Sequence, residues 1–159
     1  RGSASRVGLK WPNDLIIAVI SDTHNHLPEA LVDRLSPAEE IWHLDDVCRP
    51  ETLEKLDELP ADRFTFQGNN DPYFHWEERL TLERNGLCFQ LQHLPHQSIP
   101  PKLTAILFGH LHYPIKEDLG RAWTLNPGVI TGPRKQSQSS FAWLRISSVG
   151  DWTWELETL

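Results

Sequence analysis

Residues 15–26 read LIIAVISDTHNH, and this stretch decides the fold. The run at residues 15–20 is continuously apolar and rich in β-branched side chains, which is typical of a strand buried on both faces of a sheet. It ends at Ser21 and Asp22, and residues 27–35 follow with apolar side chains at helical spacing. The stretch therefore predicts a buried strand that leads into a helix.

The next segments continue this alternation, and the later ones lose the helices. A strand is predicted at residues 41–44 and a helix at residues 51–59, where leucines recur on one face until Pro60. Further strands are predicted at residues 63–67, 87–92, 104–108, 122–125, 141–147 and 152–158, with a hairpin at 149–151 and a surface loop at 136–140. The first half thus predicts parallel strands with right-handed crossovers, the second half predicts mostly antiparallel strands, and the architecture is a layered α/β sandwich.

The composition argues against several classes of partner and several kinds of site. The chain has 159 residues and a formal charge of −7, which argues against a basic surface for nucleic-acid polymers or anionic membranes. Two cysteines cannot build a disulfide framework or a four-thiolate zinc site, and no apolar run is long enough to span a bilayer. We expect a cytoplasmic protein in which residues 1–10 are a tag or disordered leader and residues 11–159 form a single domain.

The polar residues that follow the predicted strands are of one chemical kind. They are Asp22, His24, Asp46, Asn69, His93, His110 and His112. Side chains beyond the carboxyl ends of strands converge on one crevice in α/β sheets. Carboxylate, amide and imidazole groups without a thiolate suit manganese, iron, zinc or nickel better than calcium. Seven such ligands are too many for one ion but suit two ions that share a carboxylate, and such a pair points to phosphoester hydrolysis.

Six segments carry a resemblance to a known family. They are VISDTHNH (19–26), IWHLDDV (41–47), QGNND (67–71), LQHL (91–94), LFGHLH (107–112) and LNPG (125–128). In this order and spacing they resemble the calcineurin-like metallophosphoesterase superfamily. The short length resembles its compact phosphodiesterase branch, to which the metallophosphoesterase-fold subunit of retromer is related. The resemblance implies a two-sheet β-sandwich flanked by helices, in four α/β layers, with a dinuclear site at one end.

The resemblance also implies a role for each ligand. The first ion would be held by Asp22, His24 and His112, and the second by Asn69, His93 and His110. Asp46 would bridge both ions, which we expect to be manganese, with zinc, iron or nickel as alternatives. A hydroxide between the ions would be the nucleophile. Residues 126–128 would shape a turn beside the site, and His43 is expected to be a core or supporting group.

Three departures from the family pattern bear on activity. Asp45 replaces a glycine before the bridging acid, and Leu94 replaces a glycine after His93. Asn70 stands where larger relatives have a histidine, the leaving-group acid, and an amide cannot donate that proton. A good leaving group or a diester therefore fits this site better than a demanding monoester.

Two function classes follow from these observations. We predict a phosphodiesterase that acts on a small phosphodiester, with no nucleic-acid polymer or membrane as partner. The alternative is a protein-interaction scaffold with a vestigial metal site, which would show a Trp-rich exposed patch. Compact members of the family often pair, so a homodimer is among the expected assemblies.

Overall fold

The computed structural model describes residues 14–21, 23, 27–44, 50–65, 79–92, 101–109, 111, 113–130 and 138–159. Within these residues the chain forms two five-stranded β-sheets, one α-helix and one 3₁₀ helix. The predicted boundary at residue 10 lies outside them. No helix in the described ranges is long and apolar enough to cross a bilayer.

The elements follow one another along the chain in a regular order. They are β1 (Leu15–Ile20), α1 (Glu29–Arg34), β2 (Glu40–His43), the 3₁₀ helix (Pro50–Glu58), β3 (Asp62–Thr65), β4 (Arg79–Arg84), β5 (Leu87–Gln92), β6 (Ala105–Phe108), β7 (Pro114–Asp118), β8 (Trp123–Pro127), β9 (Ser140–Ile146) and β10 (Trp152–Thr158). The first sheet has the strand order β10-β9-β1-β2-β3, and the second has the order β4-β5-β6-β8-β7. The predicted two-sheet α/β sandwich is therefore confirmed.

The first sheet contains the predicted parallel unit, which extends from its central strand β1 to its edge strand β3. β1 pairs in parallel with β2, and β2 pairs in parallel with β3. The C-terminal hairpin of β9 and β10 adds antiparallel strands on the other side of β1. Gly150 has φ +86° in the hairpin turn, a conformation that favours glycine.

The second sheet corrects one prediction. Its strands were expected to be mostly antiparallel, but β5 pairs in parallel with β6, and β6 pairs in parallel with β8. Only β4 and β7, at the two edges, run antiparallel to their neighbours. Residues 93–104 between β5 and β6 are long enough for a crossover connection, and β7 lies within the connection between β6 and β8.

The first sheet separates two hydrophobic clusters of the core, one on each of its faces. Ile17 and Val19 of β1 face the second sheet and belong to a cluster with Trp42, Phe89 and Leu107. The alternate residues of β1 pack under the helices, in a second cluster with Leu31 of α1 and Leu56 of the 3₁₀ helix. β1 is thus buried on both faces, as its continuous apolar run predicts.

Three further details differ from the sequence-based expectations. The helix predicted at residues 51–59 is a 3₁₀ helix over Pro50–Glu58. Its leucines recur every three residues, which matches the 3.0 residues per turn of a 3₁₀ helix better than the 3.6 of an α-helix. Ser140, expected in a surface loop, is buried at the start of β9. The strands β4 and β7 were not predicted.

Cys88 lies on β5 beside a small apolar cluster on the outer face of the second sheet. Burial raises the pKa of its thiol, and the nearby Glu83 carboxylate raises it further. The folded state therefore holds this proton more tightly than the unfolded chain does. Its contribution to stability is complete below the unfolded pKa and is lost as the pH rises through the folded pKa.

We expect iodoacetamide to alkylate Cys88 only at a higher pH in the folded protein than in the urea-unfolded protein, because the thiolate is the nucleophile. Mass spectrometry of the peptide that contains Cys88 measures the rate at each pH. Equal pH midpoints in the folded and unfolded protein would contradict the raised pKa.

Candidate metal centre

The carboxyl ends of the central strands define the candidate site. β1, β2 and β3 are parallel, so their carboxyl ends share one edge of the first sheet. β5, β6 and β8 are parallel, so their carboxyl ends share one edge of the second sheet. Every predicted ligand follows β1, β2, β3, β5 or β6 in the sequence, and no predicted ligand follows β8. Strand order alone thus groups the ligands into one set for each sheet.

The ligand side chains themselves are outside the described residues. This holds for Asp22, His24, Asp46, Asn69, His93, His110 and His112, and also for Asn70. Among the residues that are described, no group of three or more His, Cys, Asp or Glu side chains could hold a metal. The structure therefore shows the frame that carries the predicted ligands, and the ligand assignments stay predictions.

A turn at the end of β8 brings the two sets of strand ends to the same end of the sandwich. The Nδ2 atom of Asn126 donates a hydrogen bond of 3.1 Å to the Gly109 carbonyl, just after β6. A few residues later, the Ile130 N–H donates a hydrogen bond of 3.1 Å to the Ser21 carbonyl, just after β1. We name residues 126–130 the cross-sheet turn, because its backbone and side chains bond to both sheets.

The cross-sheet turn is tightly enclosed. The Oδ1 atom of Asn126 accepts a hydrogen bond from the Gly128 N–H at 2.9 Å, which closes the turn on itself. Gly128 has φ +80°, and a Cβ at this position would lie 2.0 Å from Oγ of Ser140. That Oγ donates to the Pro127 carbonyl at 2.8 Å. Glycine is therefore required here by both conformation and space.

A second contact fixes the segment between the first two predicted ligands. Thr23, which lies between Asp22 and His24, is fully buried. Its hydroxyl is hydrogen-bonded to Nε2 of His43 at 3.1 Å, and His43 is the last residue of β2 and is also fully buried. His43 therefore holds Thr23 from the neighbouring strand, and its burial agrees with the prediction of a core or supporting group.

Sequence reasoning found part of this frame. The Asn126-Pro127-Gly128 motif was expected to shape a turn, and it forms one; that this turn lies beside the metal ligands stays a prediction. The contacts of Ile130 and Ser140 were not predicted, because neither residue belongs to a motif. The sequence signal for such contacts is Gly128, because a glycine can indicate a positive φ or the close approach of another group.

The predicted donor set fits divalent ions. Two carboxylates, one amide and four imidazoles supply oxygen and nitrogen ligands. Thr23, whose two neighbours in the sequence are predicted ligands, is held by a buried hydrogen bond to His43. The predicted residues therefore suit divalent cations, and they do not select among manganese, iron, zinc and nickel.

Comparison with known proteins decides the family. The model of the calcineurin-like phosphoesterase superfamily domain matches residues 15–149. A probable metallophosphoesterase of Methanothermobacter thermautotrophicus is 30% identical over 138 residues, which cover 76% of this chain and 80% of that relative. The chain belongs to the calcineurin-like phosphoesterase superfamily. The predicted family and its enzyme class, a metal-dependent phosphoesterase, are thereby confirmed.

Other relatives agree with this assignment. A phosphodiesterase of Methanocaldococcus jannaschii is 24% identical over 140 residues, which cover 73% of this chain and 84% of that relative. The solved structure of an archaeal phosphodiesterase has a TM-score of 0.73 at 20% identity, covering 90% of this chain and 100% of its own. Vps29 of Entamoeba histolytica, complexed with zinc, has a TM-score of 0.72 at 21% identity, covering 91% of this chain and 99% of its own. The two solved structures show that the fold is shared.

Proposed function

We propose that this protein is a dinuclear metal-dependent phosphodiesterase that hydrolyses a small phosphodiester. The observation that carries the proposal is the meeting of the carboxyl ends of β1 and β6 at the cross-sheet turn. The segments with the residues of the Asp-x-His and Gly-His-x-His motifs start at these two strand ends, one in each sheet. The frame therefore supports a site built from both sheets.

The ligand roles belong to this proposal. The first ion would be held by Asp22, His24 and His112, and the second by Asn69, His93 and His110, with Asp46 shared by both. Two such ions activate water and neutralise charge on phosphoryl oxygens. The described residues contribute a buried hydrogen bond between His43 and Thr23, which lies between Asp22 and His24 in the sequence.

Charge and the residue at position 70 define the substrate class. A chain with a formal charge of −7 repels large polyanions, whereas two divalent ions would attract one phosphate locally. Asn70 cannot protonate a departing alkoxide, so a diester with a stable leaving group is the substrate that fits. We propose manganese as the metal, with zinc, iron and nickel as alternatives.

Metal removal tests the proposal. We expect a chelator to abolish hydrolysis of bis(p-nitrophenyl) phosphate and added manganese to restore it, with p-nitrophenolate release as the measurement. Asp46→Asn should lose most of the activity because it weakens the shared ligand. Asp118→Asn is the matched control, since Asp118 ends β7 opposite Trp123, at the other end of the sheet. Full activity in the metal-free protein would overturn the proposal.

The scaffold alternative has one observation in its favour, the shared fold with Vps29. It predicts a Trp-rich exposed patch. Of the tryptophans in the described ranges, Trp42, Trp143 and Trp154 are buried, and Trp123 and Trp152 are half-buried. The phosphodiesterase is therefore the proposal that we favour. Absence of turnover with manganese, nickel, zinc and iron would favour the scaffold instead.

A further inference from the structure

We infer that the cross-sheet turn, residues 126–130, sets the spacing between the two halves of the metal site and so controls the affinity for both ions. Asn126 is its central positioning residue. The inference rests on the proposed function, because it concerns the ligands assigned there. It adds to that function a physical cause for the distance between the ligands of the two sheets.

Each ion depends on both sheets in the proposed assignment. The first ion takes Asp22 and His24 from the segment after β1 in the first sheet, and His112 from the segment after β6 in the second. The second ion takes Asn69 from the first sheet, and His93 and His110 from the second. The distance between the sheet ends therefore enters the coordination of both ions.

On the second sheet, the Gly109 carbonyl is the point of attachment. It accepts a hydrogen bond from Nδ2 of Asn126 at 3.1 Å and another from the Leu111 N–H at 2.8 Å. Leu111 lies between the two predicted histidine ligands of the Gly-His-x-His motif. The Gly109 carbonyl thus joins Asn126 to Leu111, and Asn126 itself is fully buried.

On the first sheet, the Ser21 carbonyl is the point of attachment. It accepts a hydrogen bond from the Ile130 N–H, and Asp22 is the next residue along the chain. Ser140 of β9 supports the turn from the same sheet, since its Oγ donates to the Pro127 carbonyl and its N–H donates to the Val129 carbonyl at 3.0 Å. The turn is therefore bonded to β9 and to the end of β1.

The turn has little freedom to change its length. Val129 is fully buried, and Ile130 is 4% exposed and packs in the cluster under the helices. Gly128 leaves no room beside Ser140. Because close-packed interiors transmit small displacements, a change at Asn126 moves the end of one sheet relative to the other.

The experiment measures manganese affinity by isothermal titration calorimetry, starting from metal-free protein. Asn126→Asp keeps the acceptor for the Gly128 N–H but replaces the donor to Gly109 by a carboxylate oxygen. We expect both dissociation constants to rise together by about 10- to 100-fold, the size of effect seen when a supporting group of a metal site is lost. Ser140→Ala loosens the turn from the other side and should raise both by a smaller factor.

Two other variants make the result specific. Thr124→Val is the matched control, because Thr124 lies earlier on β8 and its hydroxyl bonds to the Glu117 carbonyl, away from the turn. It should leave both affinities unchanged. Thr23→Val removes the bond to His43 within the first sheet and should weaken the first ion selectively. A general loss of stability would not produce this difference, in which Asn126→Asp weakens the binding of both ions and Thr23→Val weakens that of the first ion.

The outcomes distinguish the inference from the proposed function. Wild-type protein that binds none of manganese, zinc, iron and nickel overturns both. Wild-type protein that binds two ions while Asn126→Asp and Ser140→Ala, both folded by circular dichroism, bind them equally well overturns the inference alone. The inference is also overturned if Asn126→Asp weakens only one ion. Should Asn126→Asp fail to fold, Ser140→Ala decides the matter by the same measurement.

Discussion

Replacing Gly128 by alanine is expected to lower the free energy of unfolding by about 3 kcal/mol, combining left-handed strain of about 1–2 kcal/mol with a lost buried hydrogen bond of about 1–3 kcal/mol. The strain arises because φ at this position is +80°. The bond is lost because the new Cβ would lie 2.0 Å from Oγ of Ser140 and would force that hydroxyl away from the Pro127 carbonyl. Urea denaturation of the metal-free protein measures the change.

Gly120→Ala is the matched control for this prediction. Gly120 has φ +86°, and nothing lies within 4 Å of a Cβ built there, so its replacement carries the strain without the clash. It should cost only about 1–2 kcal/mol. Ser140→Ala removes the clashing hydroxyl, so the double variant with Gly128→Ala should cost about 1 kcal/mol less than the sum of the two single variants. Equal costs at positions 128 and 120 would show that the contact with Ser140 does not matter.

The central strands could be predicted from the sequence because burial on both faces leaves a continuous apolar run. β1 is the clearest case, and β6, which reads AILF, follows the same rule. The edge strand β7 could not be predicted in this way. Its sequence, PIKED, is short and mostly polar, and only pairing with β8 makes it a strand. β4 alternates as RLTLER, so the sequence does carry a period-two signal for this strand.

The candidate site likewise has features that the sequence predicts and features that it does not. The ligand types stay a prediction from the sequence, in which a change from apolar to metal-binding side chains follows each of the strands β1, β2, β3, β5 and β6. The hydrogen bonds that join the two sheets could not be predicted. The contact of the Ile130 N–H with the Ser21 carbonyl is made by backbone atoms, which any sequence supplies. Ser140 illustrates the same limit, since its burial depends on the position of Gly128 in the folded chain.

Replacing Asn70 by histidine is expected to raise kcat/KM for the poorest leaving groups by about 10²-fold, the lower end of what general acid catalysis contributes. An imidazolium can protonate a departing alkoxide, whereas the amide of Asn70 has no such proton. p-Nitrophenolate leaves without protonation, so its diester should gain little. A series of aryl and alkyl methyl phosphodiesters measures this as a flatter dependence of log kcat/KM on the leaving-group pKa.

Two observations separate proton donation from a general improvement of the site. Asn70→Gln keeps the amide and should show the steep leaving-group dependence of the wild type. The gain in Asn70→His requires the protonated ring, so it should fade as the pH rises past the histidine pKa, about 6.5 when unperturbed. A gain of equal size for p-nitrophenolate and alkoxide leaving groups would mean that position 70 acts on binding or metal affinity. The substrate preference would then have to come from elsewhere in the site.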